Sequence, residues 1–410
     1  MYIKLTVIAL ALLGSLYKLV LGIVQYRSAN NPTPENLADV YDAETYETWK
    51  KYSAEHCRLD IASTIVSACI SVALLATNVY AAFASLFGGH YLAQILAVVL
   101  IEVAVDVVVG TAESYVANMI IEQKYGFNRT TMKTFVFDRV RTVLLGFILS
   151  FGLAALVAAL HSWLGVWMIV IFVVVVFAFN MLISFLYPIF SRIGNKFTPL
   201  EEGELKDNLF ALLNKHGYRV KAIEVMDASR RTTKLNAYFT GFGKMKTIVL
   251  FDNLLNAMTP DEICAVFAHE LGHGLHKDVL KSQILNIGQM ALIGAMAFGV
   301  VSLPELYGVF GFEEVNYGFA YVLLGIGLGV LQPLVGLISN AMSRAHEYRA
   351  DRQAVAEGYG EAMITAFKKL AKDNFSHLAP SKLNVVLEYS HPPLDRRVEE
   401  VERAMKESSR

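Results

Sequence analysis

Seven stretches of the chain are apolar for about the length of a membrane-spanning helix, which needs roughly 20 such residues. They are Leu5–Val24, Ile61–Phe87, Leu92–Ala112, Val143–Trp163, Val166–Phe190, Ile284–Leu303 and Phe319–Ile338. A polar stretch, Ser191–Ser282, separates the fifth from the sixth, and a second polar region, Ser343–Arg410, follows the seventh. The pattern divides the chain into 1–190 with five spans and their loops, a polar domain at 191–282, two further spans at 283–343, and a C-terminal part at 344–410. The first stretch is long for a signal peptide and has only a weak small-residue cleavage site after it, Ser28-Ala29-Asn30, so it reads as an uncleaved span.

Composition agrees with the blocks. The 410 residues are 55% hydrophobic and 18% charged, against about 25% charged in an average soluble domain. A net charge of -1 gives no electrostatic case for a nucleic-acid partner. The three cysteines, Cys57, Cys69 and Cys264, form no close pair, which argues against a disulfide framework or a thiolate metal site. Lys and Arg are confined to one set of loops. The loop after the third span holds Lys124, Arg129, Lys133, Arg139 and Arg141, and the long polar stretch and the tail are also rich in them. The other three connections, Gly88–Tyr91, Leu164–Gly165 and Pro304–Gly318, have none. The positive-inside rule then places the polar regions and the C-terminus in the cytoplasm and the N-terminus outside.

Three charges fall inside spans: Lys18 in the first, and Glu102 and Asp106 in the third. Lys18 can snorkel. Glu102 and Asp106 are four apart and so share a helix face. They either pair with basic groups between helices or line an aqueous cavity, since both arrangements meet the cost of burying charge in a membrane.

The polar domain carries His269-Glu270-Leu271-Gly272-His273. On a helix, residues i and i+4 present two imidazoles to one metal, and the Glu after the first His is placed to take a proton from an activated water. The context is helical. Thr259-Pro260-Asp261-Glu262 reads as a capping box with Pro at the first helical position, and Ile263, Val266, Phe267 and Leu271 supply an apolar stripe. Gly272 and Gly274 weaken the helix by roughly 1 kcal/mol each relative to Ala, which predicts close approach of another segment. Asp278 marks the polar turn that ends the helix, and His276 has the wrong spacing to be a third ligand. A catalytic zinc usually takes three protein ligands and a water. In Arg344–Asp351, Glu347 is placed as the third ligand, and Asp351, four residues on, as a hydrogen-bond acceptor for a ligating imidazole. Spacing alone leaves open an ordinary exposed, charged helix face.

Together His269–His273 and His346–Asp351 resemble the type I CAAX prenyl protease family of gluzincin-type membrane proteases. Glu122–Asn128, Asn195–Glu201, Asn236–Phe239 and Ser390–Leu394 are similar to further signatures of that family. The resemblance runs from near residue 120 to near residue 400. It implies an all-α membrane protein with a small α+β zinc-protease domain, in which seven transmembrane helices enclose a large water-filled chamber. Glu347 is then the third ligand of one zinc ion per chain, with Asp351 behind the ligands. Glu102 and Asp106 would face the chamber. The resemblance also implies that Asn236 contacts the substrate, and that His391 and Arg397 bind the substrate carbonyl and steady the developing oxyanion. Asn236 precedes an apparent hairpin, Ala237–Phe239, a Gly241-Phe242-Gly243 turn and Lys246–Phe251, whose edge can pair with an extended peptide.

The expected function is zinc-dependent endopeptidase action near the C-terminus of prenylated C-a-a-X substrates, with Glu270 as the base. Two rivals are a membrane quality-control protease acting on unlipidated segments and, less favoured, a transporter or channel suggested by Glu102 and Asp106. The connection Pro304–Gly318 is short for a eukaryotic member and the tail shows no dilysine-like signal, which favours a bacterial inner membrane over an endoplasmic reticulum membrane.

Overall fold

A computed structural model of the chain describes residues 2–192, 194–240 and 247–409. The expected Gly241-Phe242-Gly243 turn lies outside the described residues. The first five apolar stretches lie in helices, α1 (Tyr2–Ser28), α2 (Ala43–Ala76), α3 (Tyr91–Glu122), α4 (Met132–Leu164) and α5 (Met168–Phe190), except that the second expected span, Ile61–Phe87, is interrupted at Asn78, whose φ is 56°. Their starts follow local chemistry. Asp42 accepts a hydrogen bond from the Thr45 amide at 2.7 Å, and Thr131 accepts one from the Thr134 amide at 3.3 Å, each satisfying an otherwise unpaired first-turn donor. Among the described residues, six segments are long and apolar enough to cross a membrane, and the longest, Met132–Phe190, has 59 residues. That segment is broken at Gly165, whose φ of 52° ends α4 before α5 begins. Two π-helical stretches, Asp106–Gly110 and Val116–Glu122, lie within α3. Leu13, Leu16, Phe137, Leu144, Ile148, Val174 and Ile189 are among the large apolar side chains left exposed on these helices, the surface that a bilayer covers.

Between α5 and the next long helices lies a four-stranded mixed sheet with one helix before its second strand: β1 (Phe197–Pro199), α6 (Glu204–Lys215), β2 (Ala222–Met226), β3 (Ala237–Thr240) and β4 (Thr247–Phe251). The order is β1-β2-β4-β3, with β2 and β4 parallel and the outer pairs antiparallel, so β3 is an edge. Then come α7 (Pro260–Leu275), α8 (Asp278–Val301), α9 (Tyr317–Ala356), α10 (Gly360–Asp373) and α11 (Leu394–Ser408). Ile248 and Leu250 of β4 pack with Leu209 and Leu213 of α6 and Ile263, Phe267 and Leu271 of α7.

Two further cores join distant parts of the chain. Leu37, Val40 and Trp49, from the loop after the first apolar stretch and the polar start of α2, pack with Ala265 and Ala268 of α7, Phe367 of α10 and Val398 and Val401 of α11. The loop after the first span is therefore part of the polar body. Leu75, Tyr80, Ala84, Met168, Tyr307, Phe310 and Phe319 form a separate core among the long helices and their other connections.

Glu102 and Asp106 find different partners. Asp106 pairs with Arg139 of α4 at 2.7 Å, while Glu102 hydrogen-bonds the Tyr80 hydroxyl. The ion pair is one of the two arrangements left open for Asp106, whereas the partner of Glu102 is a phenol. Lys18 is exposed, with no ion pair among the described residues.

Candidate metal centre and active site

The capping box at the start of α7 is formed in both directions. The Thr259 hydroxyl accepts from the Glu262 amide at 3.3 Å, and the Glu262 carboxylate accepts from the Thr259 amide at 2.8 Å. Lys369 of α10 adds an ion pair to Glu262 at 2.6 Å. From this start α7 continues unbroken to Leu275, which puts His269 and His273 on one face. α9 is a 40-residue helix that leaves the membrane segment and carries Glu347 and Asp351. It crosses α7 where Gly272 lies. A Cβ there would stand 2.9 Å from Gln353 Cβ and 3.1 Å from Ala350 Cα. Gly274 leaves similar room for Tyr218. The close approach expected from the two glycines is real, and at Gly272 it involves the very helix that bears Glu347.

Three side chains converge there. His269 Nε2 is 3.2 Å from His273 Nε2 and 3.5 Å from Glu347 Oε2, and His273 Nε2 is 3.3 Å from Glu347 Oε1. Ligands at about 2.0–2.2 Å from one tetrahedral ion stand about 3.3–3.6 Å from one another. Glu347 Oε2 is buried with no hydrogen bond of its own, its charge faced by His269 Nε2 at 3.5 Å and Arg397 Nη2 at 3.2 Å. The three residues therefore fit a metal ion. His276, at the C-terminal end of α7, takes no part in this convergence.

Each histidine is backed by a carboxylate on its other ring nitrogen. His269 Nδ1 lies 2.8 Å from Asp351 Oδ1, and His273 Nδ1 lies 3.2 Å from Asp278 Oδ2. Such contacts place the proton on Nδ1 and turn Nε2 toward a ligand. Burial alone pushes a histidine toward its neutral form, but Glu347 and Asp278 outweigh it at His273 and hold its pKa up at about 8. Asp278 was expected only as the end of the helix. It is buried, pairs with Arg349 of α9 at 2.8 Å, and starts α8 after Lys277 turns the chain with a φ of 55°. Nothing in the motif spacing marks it, because its contact depends on that turn.

Arg397 of α11 makes a two-pronged contact with Asp351, Nε to Oδ2 at 2.9 Å and Nη2 to Oδ1 at 2.6 Å, and its Nη2 is 3.2 Å from Glu347 Oε2. Its guanidinium lies 4.2 Å from the centre of the Phe367 ring. His391 is exposed at the rim, with Nε2 3.5 Å from Glu347 Oε1 and Nδ1 3.0 Å from the Ser390 hydroxyl. Glu270 borders a small cavity with Val266 and Phe267 of α7 and with Ala237 and Tyr238 of β3. Asn236, exposed just before β3, accepts a hydrogen bond from the Ala237 amide at 2.9 Å. His269, His273, Glu347, Asp351, Arg397 and His391 thus gather where α7, α9 and the start of α11 meet, while Glu270 borders the small cavity shared with β3 and Asn236 stands at the start of that strand.

Comparison with known proteins identifies relatives of the chain. The family model described as CAAX prenyl protease N-terminal, five membrane helices, matches residues 23–192, and that of peptidase family M48 matches residues 199–405. CAAX prenyl protease 1 of Saccharomyces cerevisiae is 31% identical over 306 residues, which cover 70% of this chain and 67% of the yeast protein. CAAX prenyl protease 1 homolog of Oryza sativa subsp. japonica is 28% identical over 415 residues, 97% of each chain. The crystal structure of S. mikatae Ste24p superposes with a TM-score of 0.89 at 27% identity, covering 97% of this chain and 99% of that one. The paired histidines and carboxylate, the helix that presents them and these matches lead to one conclusion: the chain belongs to peptidase family M48 and is a multi-pass membrane metalloprotease.

Proposed function

We propose that this enzyme holds one zinc ion through His269, His273 and Glu347 and cuts peptide bonds near the C-terminus of prenylated C-a-a-X substrates. The convergence of the three ligand atoms to 3.2–3.5 Å carries the metal assignment. The printed names of the relatives carry the substrate class. Bound zinc supplies an acidified water and polarises the scissile carbonyl.

The chain's own groups do the rest. β3 offers an open edge on which an extended substrate pairs, with Asn236 at its start. Glu270, beside that strand, takes a proton on its carboxylate and returns it to the leaving amine. His391 donates toward the substrate carbonyl as charge develops on it, where such a donor is worth about 2.7–4 kcal/mol. Arg397 adds positive charge to the same side and, through its fork on Asp351, fixes the ring of His269. Asp351 and Asp278 keep both imidazoles in the ligating orientation.

Seven crossings enclosing a chamber remain our reading of the membrane part. It is supported by the break at Gly165, which makes two helices of the longest apolar segment. The packing of the two sets of connections into separate cores also supports it. The Lys and Arg asymmetry orients the polar body and the C-terminus to the cytoplasm. The relatives named above are eukaryotic, so the expectation of a bacterial inner membrane rests on the short connection between α8 and α9.

The test is cleavage of one C-a-a-X peptide, with and without a farnesyl group, by the purified enzyme and by Glu270→Gln. Cleavage of the farnesylated peptide alone, lost in the variant, is expected. Equal cleavage of both peptides would show that lipid is not recognised.

A further inference from the structure

The segment Glu122–Asn128 closes α3 and lies outside the active-site cleft, yet it is wired to the strand that borders it. Glu122 is only 14% exposed and is met by three donors. The Tyr52 hydroxyl stands at 2.5 Å, the Lys234 ammonium at 3.0 Å and His56 Nε2 at 3.2 Å. Lys234 also lies over the Phe127 ring, 5.1 Å from its centre. A carboxylate taken out of water is tolerated only when its oxygens are matched in this way. The backbone follows the same connection. The Arg129 amide donates to the Arg231 carbonyl at 3.1 Å, and the Thr233 amide donates to the Phe127 carbonyl at 3.3 Å.

The chain is then held residue by residue up to β3. Asn253 donates to the Lys234 carbonyl at 2.8 Å. Asn374 accepts from the Leu235 amide at 2.8 Å and donates to the Leu235 carbonyl at 3.2 Å. The next residue is Asn236. An edge strand of four residues, bonded on one side only, has few ladder bonds to keep it in place. Its position has to come from what holds its first residue.

We propose that Glu122 and Lys234 are positioning residues for substrate: their ion pair lets the end of membrane helix α3 set where the edge of β3 lies against Glu270. The inference rests on the reading of β3 as the substrate-pairing edge. Neither residue touches the metal ligands, so their loss leaves the chemistry in place and weakens the pairing. Weaker pairing that is common to ground state and transition state raises KM and leaves kcat unchanged.

The test uses the full-length enzyme in detergent, the farnesylated C-a-a-X peptide, and the same peptide N-methylated at the amides that would pair with β3. Lys234→Met is expected to raise KM by about tenfold with kcat, zinc content and melting temperature near wild type, and Lys234→Arg to return KM to normal. Glu122→Gln keeps the shape and loses the charge, and serves if Lys234→Met does not fold. A KM within twofold of wild type in the folded variants overturns the proposal, as does a fall in kcat or zinc content at constant KM. The N-methylated peptide separates the two ideas. If the wild-type enzyme cleaves it normally, the edge-pairing reading itself fails. If methylation abolishes cleavage while the variants behave as wild type, only the positioning role fails.

Discussion

Asp351 Oδ1 stands 2.8 Å from Nδ1 of His269, and Asp351 is fully buried between that ring and Arg397. The carboxylate lies on the Nδ1 side of the ring and so leaves Nε2 facing His273 and Glu347. Asp351→Asn keeps the volume and removes the charge. Loss of such a partner typically costs about 10–100-fold in metal affinity, and that range is expected here. Asp278→Asn is expected to cost less, because its contact to His273 is longer, at 3.2 Å, and it is shared with Arg349. Competition against a zinc chelator measures both. Equal affinity in wild type and Asp351→Asn would refute the role.

The proposed roles of Glu270 and Glu347 separate catalysis from binding. Glu270→Gln is expected to keep a full equivalent of zinc and to lower kcat by about 10²–10⁴-fold, the usual worth of a general base. Glu347→Ala is expected to lose the metal. Zinc analysis beside a peptidase assay checks the pair. Activity in Glu270→Gln above a metal-free control would remove Glu270 as the base, and stoichiometric zinc in Glu347→Ala would remove the third ligand.

Gly272→Ala sets two effects against each other. Helix propensity favours Ala by about 1 kcal/mol in a helix interior. The new methyl, however, would meet Gln353 Cβ at 2.9 Å and Ala350 Cα at 3.1 Å. Forcing a methyl into packed helices costs about 1–3 kcal/mol, and the strain falls between α7 and the helix that carries Glu347. Net destabilisation with weaker zinc binding is expected. A melting temperature above wild type would show that α9 moves aside freely.

His377 is the group to watch in acid. It is packed edge-on to Trp49, with ring centres 4.8 Å apart, and lies 2.8 Å from the Ser28 hydroxyl. Its Nδ1 accepts from the Ala379 amide at 3.2 Å, so the neutral ring is the form that fits. Burial pushes its pKa down to about 4, against roughly 6.5 in an unfolded chain. The unfolded state takes up the proton first as pH falls. The stability contributed by the neutral ring is therefore whole above about 6.5 and drains away between there and about 4, by at most about 3 kcal/mol. His377→Gln is expected to flatten that part of the curve relative to wild type, both with zinc saturating. Parallel melting curves from pH 7 to 4.5 would count against it.

Much of the site was legible because it is local. Two histidines four apart, a capping box four residues long, and Glu347 and Asp351 one turn apart all follow from helix geometry, and α7 and α9 are the helices that geometry requires. The apolar stretches were legible for the same reason, since length and hydropathy are properties of a single segment. The resemblance added His391 and Arg397, whose neighbours give no sign of a cleft, and the structure brings both within 3.5 Å of Glu347.

Contacts between distant segments were settled only by tertiary structure. Asp278 reads as the end of a helix until Lys277 turns the chain and places it behind His273. Leu37 and Trp49 stand in the connection between the first two apolar stretches, and only the fold packs them against α7, α10 and α11. Glu102 and Asp106 share a spacing but reach different helices, one a tyrosine and the other an arginine. Sequence spacing decides which side chains share the face of one element, because the helical repeat is short-ranged. Which carboxylate meets which base across two elements depends on how those elements cross, and that is decided by packing over the whole chain.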